Sequence, residues 1–256
     1  MKPVTVNIIG GGNVARQLTK AMLNYPEKIK IVSLWNRHPE KWKNAGLQVL
    51  KTLRELPPAK VHIIAVKDDA INELSRKVPS VEGIFVHTSG VLPMDIIAQK
   101  RHGVFYPLQS LSANRQTDWT EIPILVEASH EKDLKVLRTL AAIISRNVRI
   151  SNHMERKVLH VAAVFASNFS MWMYEAAYEI LKSKNIPFDL LFPLIEETAA
   201  KLRELPPAEA LTGPAKRNDL HTIEKHLDYL KQNHPEWTEI YLKISEMIIK
   251  NFRQKK

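Results

Sequence analysis

Several features on which other protein classes depend are missing from this sequence. Its 256 residues include no cysteine, which excludes disulfides, thiolate metal ligands and a cysteine nucleophile. No apolar run approaches the roughly 20 residues that a membrane-spanning helix needs, so we expect no membrane association. A predicted strand begins by residue 4 and leaves no room for a signal peptide, so we expect a cytoplasmic protein.

The motifs of hydrolytic and metal chemistry are absent as well. The sequence has no G-x-S-x-G nucleophile elbow and no G-K-[ST] phosphate loop. Its ten histidines are scattered, and no H-x-x-x-H or H-E-x-x-H pair occurs. We therefore expect neither a hydrolase, nor a nucleoside triphosphatase, nor a metal site.

Acidic residues are too few to balance the basic ones, and the net charge is +10. Residues 1–150 hold 22 Lys and Arg against 13 Asp and Glu, whereas the remainder holds 15 against 14. The basic residues are scattered and are not interleaved with aromatic residues along one element, so we expect no nucleic-acid partner. An excess confined to the N-terminal part indicates a small anionic ligand there.

Glycine is scarce, with eight residues, but three of them are consecutive. They follow an apolar, β-branched segment and precede a helical pattern, in the spacing G-x-G-x-x-A. In this motif Gly10 allows a tight turn, Gly12 lets the backbone approach a pyrophosphate, and Ala15 allows close packing of the helix on the strand. The alternative is a glycine turn that serves only this packing. We predict dinucleotide binding through Gly10, Gly12, Asn13 and Val14.

The end of the second predicted strand bears on the choice of dinucleotide. A carboxylate usually stands here when the ribose carries a free 2′-hydroxyl. This sequence has Asn36 followed by Arg37. An arginine can hold a 2′-phosphate through two parallel hydrogen bonds, which a carboxylate would repel. The alternative is a solvated surface arginine. We predict NADP(H) as the cofactor, with Asn36 and Arg37 at its 2′-phosphate.

The pattern of elements changes near residue 152. Strands and helices alternate before it, which predicts a Rossmann-type, doubly wound parallel sheet in an α/β domain over residues 1–152. Only helices are predicted over residues 153–256, an all-helical domain for the substrate and for dimerisation. Its first helix is apolar on almost every side from Val158 to Ala177, so we expect complete burial and a homodimer formed through this domain.

This succession of domains resembles the group of β-hydroxyacid dehydrogenases, pyrroline-5-carboxylate reductases and deazaflavin-dependent NADP oxidoreductases. Within it, the chain is similar to an uncharacterised bacterial family of Rossmann-like proteins with a C-terminal domain of unknown function. The resemblance implies an NADP-dependent oxidoreductase and leaves the substrate open. The Lys-x-x-x-Asn pattern that the larger dehydrogenases often carry on the first long helix is replaced there by Lys157, His160 and Asn168. The matching segments are residues 10–15, 65–71, 87–90, 106–110, 160–168 and 211–219.

The first helix of the second domain carries the candidate catalytic groups. At about 100° per residue, four polar side chains share an arc of about 100° on an otherwise apolar helix. They either face an interdomain cleft or form a buried, satisfied hydrogen-bond network. In the cleft interpretation His160 is the first candidate for proton donor and Lys157 the second. Asn168 and Ser167 would orient a carbonyl or imine group.

Other candidates follow the carboxyl ends of strands, where open α/β sheets bind ligands. We assign Val66, Lys67 and Ser89 to the cofactor, and Gly90, Tyr106 and Gln109 to the substrate. Arg217 lies in a glycine-proline turn and would meet an anionic substrate group. In the alternative interpretation, this turn only places Asp219 as the N-cap of the next helix.

Together these features predict an NADP(H)-dependent oxidoreductase that transfers hydride to or from a small carbonyl or imine compound between the two domains. The alternative is a protein that binds NADP(H) without turnover, as a redox sensor or a scaffold. The fold alone does not decide between them.

Overall fold

The chain forms two compact units in the computed structural model, which describes residues 2–42 and 46–253. The first unit is Met1–Ser167 and the second is Asn168–Lys256. The predicted boundary at residues 152 and 153 coincides with the start of the first helix after the sheet. That helix belongs to the first unit, because its side chains bond to the loops and strands of the sheet, as described below.

The first unit is built on an eight-stranded sheet in the order β3-β2-β1-β4-β5-β6-β7-β8. The predicted doubly wound parallel sheet is confirmed: neighbouring strands are parallel except β6 and β7, which are antiparallel. The connection between them contains no crossover helix, and without one the chain returns antiparallel. The strands are Val4–Ile9, Ile29–Trp35, Val49–Leu50, Val61–Ile64, Ile84–His87, His102–Pro107, Ile124–Ala128 and Val148–Ile150.

Helices cover both faces of this sheet. They are α1 (Asn13–Leu23), α2 (Asp68–Lys77) and α3 (Glu131–Ile144). Alternate residues of one strand enter different cores: Ile8 packs with residues of α1 and α3, and Ile9 packs with residues of α2. The central strands β1, β4, β5 and β6 are buried on both faces over most of their length and read as largely apolar runs, which is why their positions could be predicted from the sequence.

Helices make up the remainder of the chain. A short π-helix, Val164–Phe169, separates α4 from α5. Short 3₁₀ turns precede α6 and α10. In the second unit the indole of Trp237 packs on Trp172 and donates to the Glu179 carboxylate at 2.9 Å. The helices are α4 (His153–Ala163), α5 (Ser170–Lys182), α6 (Phe192–Lys201), α7 (Pro207–Ala210), α8 (Pro214–Arg217), α9 (Leu220–Asn233) and α10 (Thr238–Arg253).

The apolar helix expected to be buried on all sides is largely exposed within the single chain. In α4, Val158 is 61% exposed and Met154 is 64% exposed. In α5, Met171 and Trp172 are also more than half exposed. The described residues of one chain therefore leave these apolar side chains uncovered. Among the described residues, no helix is long and apolar enough to cross a membrane.

Candidate functional site

In the glycine turn between β1 and α1, Gly10 is required by the backbone conformation, and Gly12 leaves space for a ligand. Gly10 has a φ of +144°, and a Cβ there would lie 2.1 Å from the carbonyl oxygen of Ala65. Gly10 is thus required by the fold itself. Gly12 has an ordinary extended backbone, and within residues 2–42 and 46–253 no atom beyond its chain neighbours lies within 4 Å of where its Cβ would be. The space above Gly12 is open for a ligand.

A cavity of about 430 Å³ lies over this turn. Helix α1 begins here without a side-chain cap, so its first backbone N–H groups and the positive end of its dipole are available to a phosphate. Eight of the nine residues predicted to bind the cofactor line the cavity. Five further lining residues were not predicted: Gly11, Trp35, His38, Ala65 and Thr88. The eight are Gly10, Gly12, Asn13, Val14, Asn36, Arg37, Val66 and Lys67.

Two of the predicted cofactor residues are committed to protein contacts. The amide of Asn13 donates to the carbonyl of Leu111 at 3.0 Å and so holds the segment after β6 against α1. Ser89 does not line the cavity and is only 5% exposed. Its hydroxyl donates to the Asp68 carboxylate at 2.9 Å and accepts backbone N–H groups from the next turn. Ser89 therefore shapes the loop after β5.

Arg37 differs from these residues because it is exposed at the end of β2. Its neighbour Asn36 is half-buried, and the Asn36 amide donates weakly to the carbonyl of His38 at 3.3 Å. A Cβ on Gly11 would collide with the Asn36 side chain, so glycine is needed at that position as well. Arg37 is therefore an exposed residue that lines the cavity, and a guanidinium can hold a 2′-phosphate through two parallel hydrogen bonds.

A second group of residues meets where β5 and β6 end. The hydroxyl of Tyr106 lies 3.0 Å from Nδ1 of His160, and the two rings meet edge to face with centroids 6.0 Å apart. Gly90 lies directly against the imidazole: a Cβ there would be 2.5 Å from Nδ1. The structure therefore brings three predicted site residues together. Gly90 follows Thr88, which lines the cofactor cavity, by two residues. The Cα atoms of these two residues are therefore at most about 7 Å apart.

The local environment keeps Tyr106 in its hydroxyl form. Burial raises the pKa of the phenol above 10.0, and the Asp68 carboxylate acts in the same direction, while Arg156 opposes them. At neutral pH Tyr106 is therefore an O–H group that can both donate and accept a hydrogen bond.

Helix α4 is fixed to the sheet by residues that the sequence analysis missed. Arg156 is fully buried; its guanidinium donates to the Glu127 carboxylate at 2.5 Å and to the Leu92 carbonyl at 2.6 Å. His153 bonds to the carbonyl of Val91 at 2.9 Å. An arginine on an apolar helix was the available signal, but the sequence does not reveal the acidic partner on β7. These bonds set the position of His160 one turn further along.

The angular prediction for the polar side chains assumed a regular α-helix, and this assumption is wrong beyond Val164. Val164–Phe169 is a π-helix, whose i→i+5 bonds advance each residue by less than 100°. Ser167 and Asn168 therefore lie at other angles to His160 than predicted. Lys157 and Asn168 are exposed, and Asn168 begins the second unit. Of the four polar residues, only the side chain of His160 contacts other predicted site residues within the part of the chain that the structure describes.

His87 lies beneath this group and is fully buried. Its Nδ1 accepts the backbone N–H of Ser89 at 3.1 Å, and its Nε2 bonds to the Pro93 carbonyl at 3.2 Å. Burial lowers the pKa of His87 to about 4; the Pro93 carbonyl opposes this shift and the positive charge of Arg156 adds to it. The imidazole is therefore neutral at physiological pH and orders the loop that carries Gly90.

The turn that contains Arg217 is rigidly built within the second unit. Gly213 has a φ of +101°, and the ammonium of Lys216 donates to three backbone carbonyls. Asp219 accepts the N–H of Thr222 at 3.1 Å, so it is the N-cap of α9, as the simpler interpretation of this turn held. Arg217 is exposed. The other predicted substrate residue, Gln109, is exposed in the first unit and accepts the N–H of Ser110.

Comparisons with known proteins show the family and the fold of this chain. Residues 122–248 match the model of a family described as a domain of unknown function, DUF2520. A Bacteroides fragilis protein, provisionally described as an NADP oxidoreductase, is 37% identical, with 97% of this chain and 99% of that one covered and a TM-score of 0.89. No curated protein sequence matches the chain.

Two more distant structures share the fold. The 1-pyrroline-5-carboxylate reductase of Streptococcus pyogenes is 10% identical, with a TM-score of 0.64 over 99% of this chain and all of that one. A reductive aminase of Aspergillus terreus, solved with NADPH and ethyl levulinate, is 12% identical, with a TM-score of 0.64 over 98% of this chain and 94% of that one. Identities this low bear on the fold alone.

Proposed function

The chain belongs to the family of Rossmann-like proteins that carry the DUF2520 domain, and on this premise we propose that it is an NADP(H)-dependent oxidoreductase. The observation that carries the proposal is the cavity over Gly10–Gly12, which combines an open glycine, an uncapped helix N-terminus and an exposed arginine at the end of β2. The Bacteroides fragilis relative is described as acting with NADP.

The residues lining the cavity fit the phosphates of NADP(H). The backbone N–H groups at Gly12, Asn13 and Val14 would hold the pyrophosphate. The guanidinium of Arg37 would hold the 2′-phosphate, which distinguishes NADP(H) from NAD(H). When bound, NADPH supplies a hydride to an electrophilic carbon. The protein must then bind that carbon and provide a proton.

We propose a small carbonyl or imine compound as the substrate. The reductive aminase with the same fold was solved with a ketone, ethyl levulinate, and the reductase from Streptococcus pyogenes is named for a cyclic imine. His160 gives a proton to the carbonyl oxygen or imine nitrogen as the carbon is reduced, and Lys157 is the second candidate. Among the other predicted residues, Gly90 and Tyr106 seat His160. Gln109 and Ser167 are proposed to bind the substrate from the first unit, whereas Asn168 and Arg217 lie in the second unit.

We further propose that the protein is a homodimer. Monomeric proteins rarely expose apolar patches as large as those on α4 and α5, and such patches commonly mark subunit interfaces. A twofold axis would let the same helices of two copies cover one another.

The cofactor proposal is tested by titrating the purified protein with NADPH and NADH and following binding by calorimetry. We expect NADPH to bind more tightly. Arg37→Ala should weaken NADPH binding about 10- to 100-fold, as the loss of a charge-assisted pair implies, and should leave NADH binding unchanged. The control is Arg54→Ala, which removes another exposed arginine of the same unit that does not line the cavity.

Equal affinity of the wild type for the two nucleotides would contradict the choice of NADP(H). The absence of binding by either would contradict the oxidoreductase proposal as a whole. Tight NADPH binding without oxidation of the cofactor by any carbonyl or imine compound tested would favour a redox sensor or scaffold.

A further inference from the structure

We infer that Tyr106 is the positioning residue for His160: its hydroxyl bonds to Nδ1 and keeps Nε2 of the imidazole turned outward to serve as the proton donor. The inference deepens the proposed function and rests on it for the identity of the reaction, but the contact itself can be tested without a substrate. It is carried by the 3.0 Å distance between the Tyr106 hydroxyl and Nδ1 and by the close approach of Gly90.

The imidazole is held from two sides. Tyr106 is the next-to-last residue of strand β6 and is only 9% exposed, so its ring is held in place by its neighbours. On the other side, a Cβ at Gly90 would lie 2.5 Å from Nδ1 and 2.8 Å from Cγ of His160. The backbone of Gly90 therefore packs directly against the imidazole ring of His160. This contact explains glycine at a position whose φ is not in the left-handed region.

The second nitrogen of the ring differs from the first. Within residues 2–42 and 46–253, Tyr106 is the one hydrogen-bond partner of the His160 imidazole, and it meets Nδ1. His160 is half-buried, in contrast to the fully buried His87. A ring that is bonded at one nitrogen and unbonded at the other has the arrangement expected of a group that exchanges its proton at Nε2.

A tyrosine hydroxyl is suited to this role because it can bond to Nδ1 in either protonation state of the ring. When His160 is neutral, the phenol O–H donates to Nδ1 and favours the tautomer with the proton on Nε2. When His160 is an imidazolium, Nδ1–H donates to the phenol oxygen. Nε2 then gives its proton to the oxygen or nitrogen of the substrate, and the neutral ring recovers a proton from solvent. The ring need not turn between these states.

This arrangement assigns different work to the two residues. His160 loses and regains the proton, and Tyr106 keeps its own. Transfer of the phenolic proton itself is disfavoured, since burial raises the pKa of Tyr106. Loss of the hydroxyl should therefore reduce the rate of the chemical step, with little effect on cofactor binding in the separate cavity over the glycine turn.

The test is nitrogen-15 NMR of the imidazole nitrogens in the full-length protein without cofactor. In the wild type at a pH where His160 is neutral, we expect the Nε2–H tautomer and an Nδ1 resonance of a hydrogen-bonded acceptor. Tyr106→Phe should shift the tautomer ratio roughly two- to tenfold, the equivalent of one neutral hydrogen bond. The control Tyr25→Phe removes a hydroxyl just beyond the far end of α1 and should leave the His160 signals unchanged.

Gly90→Ala is the second variant, since the added methyl group must displace the imidazole, and it should move the same two resonances. Unchanged His160 signals in Tyr106→Phe, or an Nδ1–H tautomer in the wild type, would overturn the inference. The wild-type spectrum decides the matter if neither variant folds. NADPH affinity is measured on the same samples. If the wild type shows the expected His160 resonances but does not bind NADPH, the proposed function is contradicted and the positioning role of Tyr106 still holds.

An activity measurement completes the test once a carbonyl or imine compound that oxidises NADPH is found. Tyr106→Phe should then lower kcat about tenfold and leave KM within about twofold, because the hydroxyl orients the proton donor and does not hold the substrate. A rise in KM with kcat unchanged would contradict positioning and make Tyr106 a substrate-binding residue.

Discussion

Two histidines of the first unit have opposite relations to solvent, and this difference separates a structural role from a chemical one. His87 is fully buried, with both ring nitrogens bonded to backbone groups. His160 is half-buried, with one nitrogen bonded to Tyr106. Burial keeps the first neutral, and the second is the proposed proton donor.

Stability should therefore fall in acid because of His87. Its pKa is lowered to about 4 in the folded state from 6.5 in the unfolded chain, so the unfolded state binds a proton first as pH falls. The contribution of neutral His87 is fully present above pH 6.5 and is lost progressively towards pH 4. Each pKa unit is worth about 1.4 kcal/mol, so the loss is about 2 kcal/mol by pH 5.

This prediction is checked by urea unfolding of the wild type and of His87→Gln at several values of pH between 7.5 and 4.5. The difference in free energy of unfolding between the two proteins should shrink by about 2 kcal/mol between pH 7.5 and pH 5. His62, whose pKa burial also lowers, is present in both proteins, and its effect cancels. A difference that does not vary with pH would show that His87 does not titrate as proposed.

The residues of the cofactor cavity could be named from the sequence because the motif is local. Gly10, Gly12 and Arg37 stand at fixed distances along the chain from two strand ends, and local geometry carries them to one place. The Tyr106–His160 contact joins residues 54 positions apart. Both were candidates, but the sequence holds no signal for their pairing, and the role of Ser89 in the loop after β5 was hidden for the same reason.

At the scale of elements, α4 depends on one buried ion pair. Arg156 is fully buried, and Glu127 on β7 is 17% exposed. Removing one partner leaves the other without compensation for its lost hydration, which is more costly than removing both. The pair therefore fixes the helix that carries His160 to the sheet.

We predict a strong non-additive effect for this pair. Arg156→Met should destabilise the protein by about 3 kcal/mol, because it leaves the Glu127 carboxylate and the Leu92 carbonyl without their donor. The double variant Arg156→Met with Glu127→Leu should recover most of that loss. Urea unfolding of both single variants and the double variant gives the coupling energy. Additive costs would mean that the pair does not act as a unit.

The prediction of elements succeeded where hydrophobic patterns are strong and failed where bonding depends on the tertiary structure. The strands around Ile8 and Ile64 are apolar runs bounded by turns, and their positions are confirmed. The reversed direction of β7 depends on a connection without a helix. The π-helix at Val164–Phe169 has the same composition as the α-helices beside it, so the sequence pattern could not indicate it.

At the scale of the whole molecule, the most informative feature is the apolar surface that one chain leaves uncovered. Val158 on α4 and Trp172 on α5 are each more than half exposed. The sequence pattern indicated burial on all sides, and the composition of these helices still requires it. In the proposed homodimer, a second copy of the chain would satisfy that requirement with no further partner.

The proposed dimer predicts the effect of one charge on α4. Val158→Asp would place a carboxylate at an apolar interface, and in a twofold dimer it would do so twice. Burying these charges without partners should raise the dimer dissociation constant by at least about 100-fold. The matched control is Ala142→Asp, which puts the same charge on an exposed apolar position of a different helix, α3. Sedimentation equilibrium measures the mass of each protein.

We expect the wild type and Ala142→Asp to be dimers at micromolar concentration and Val158→Asp to dissociate. Circular dichroism and NADPH titration of the Val158→Asp monomer separate assembly from folding, since the cofactor cavity is lined only by residues of the first unit. A wild type that is monomeric at every concentration tested would refute the dimer. The exposed apolar side chains of α4 and α5 would then require a different protein as their partner.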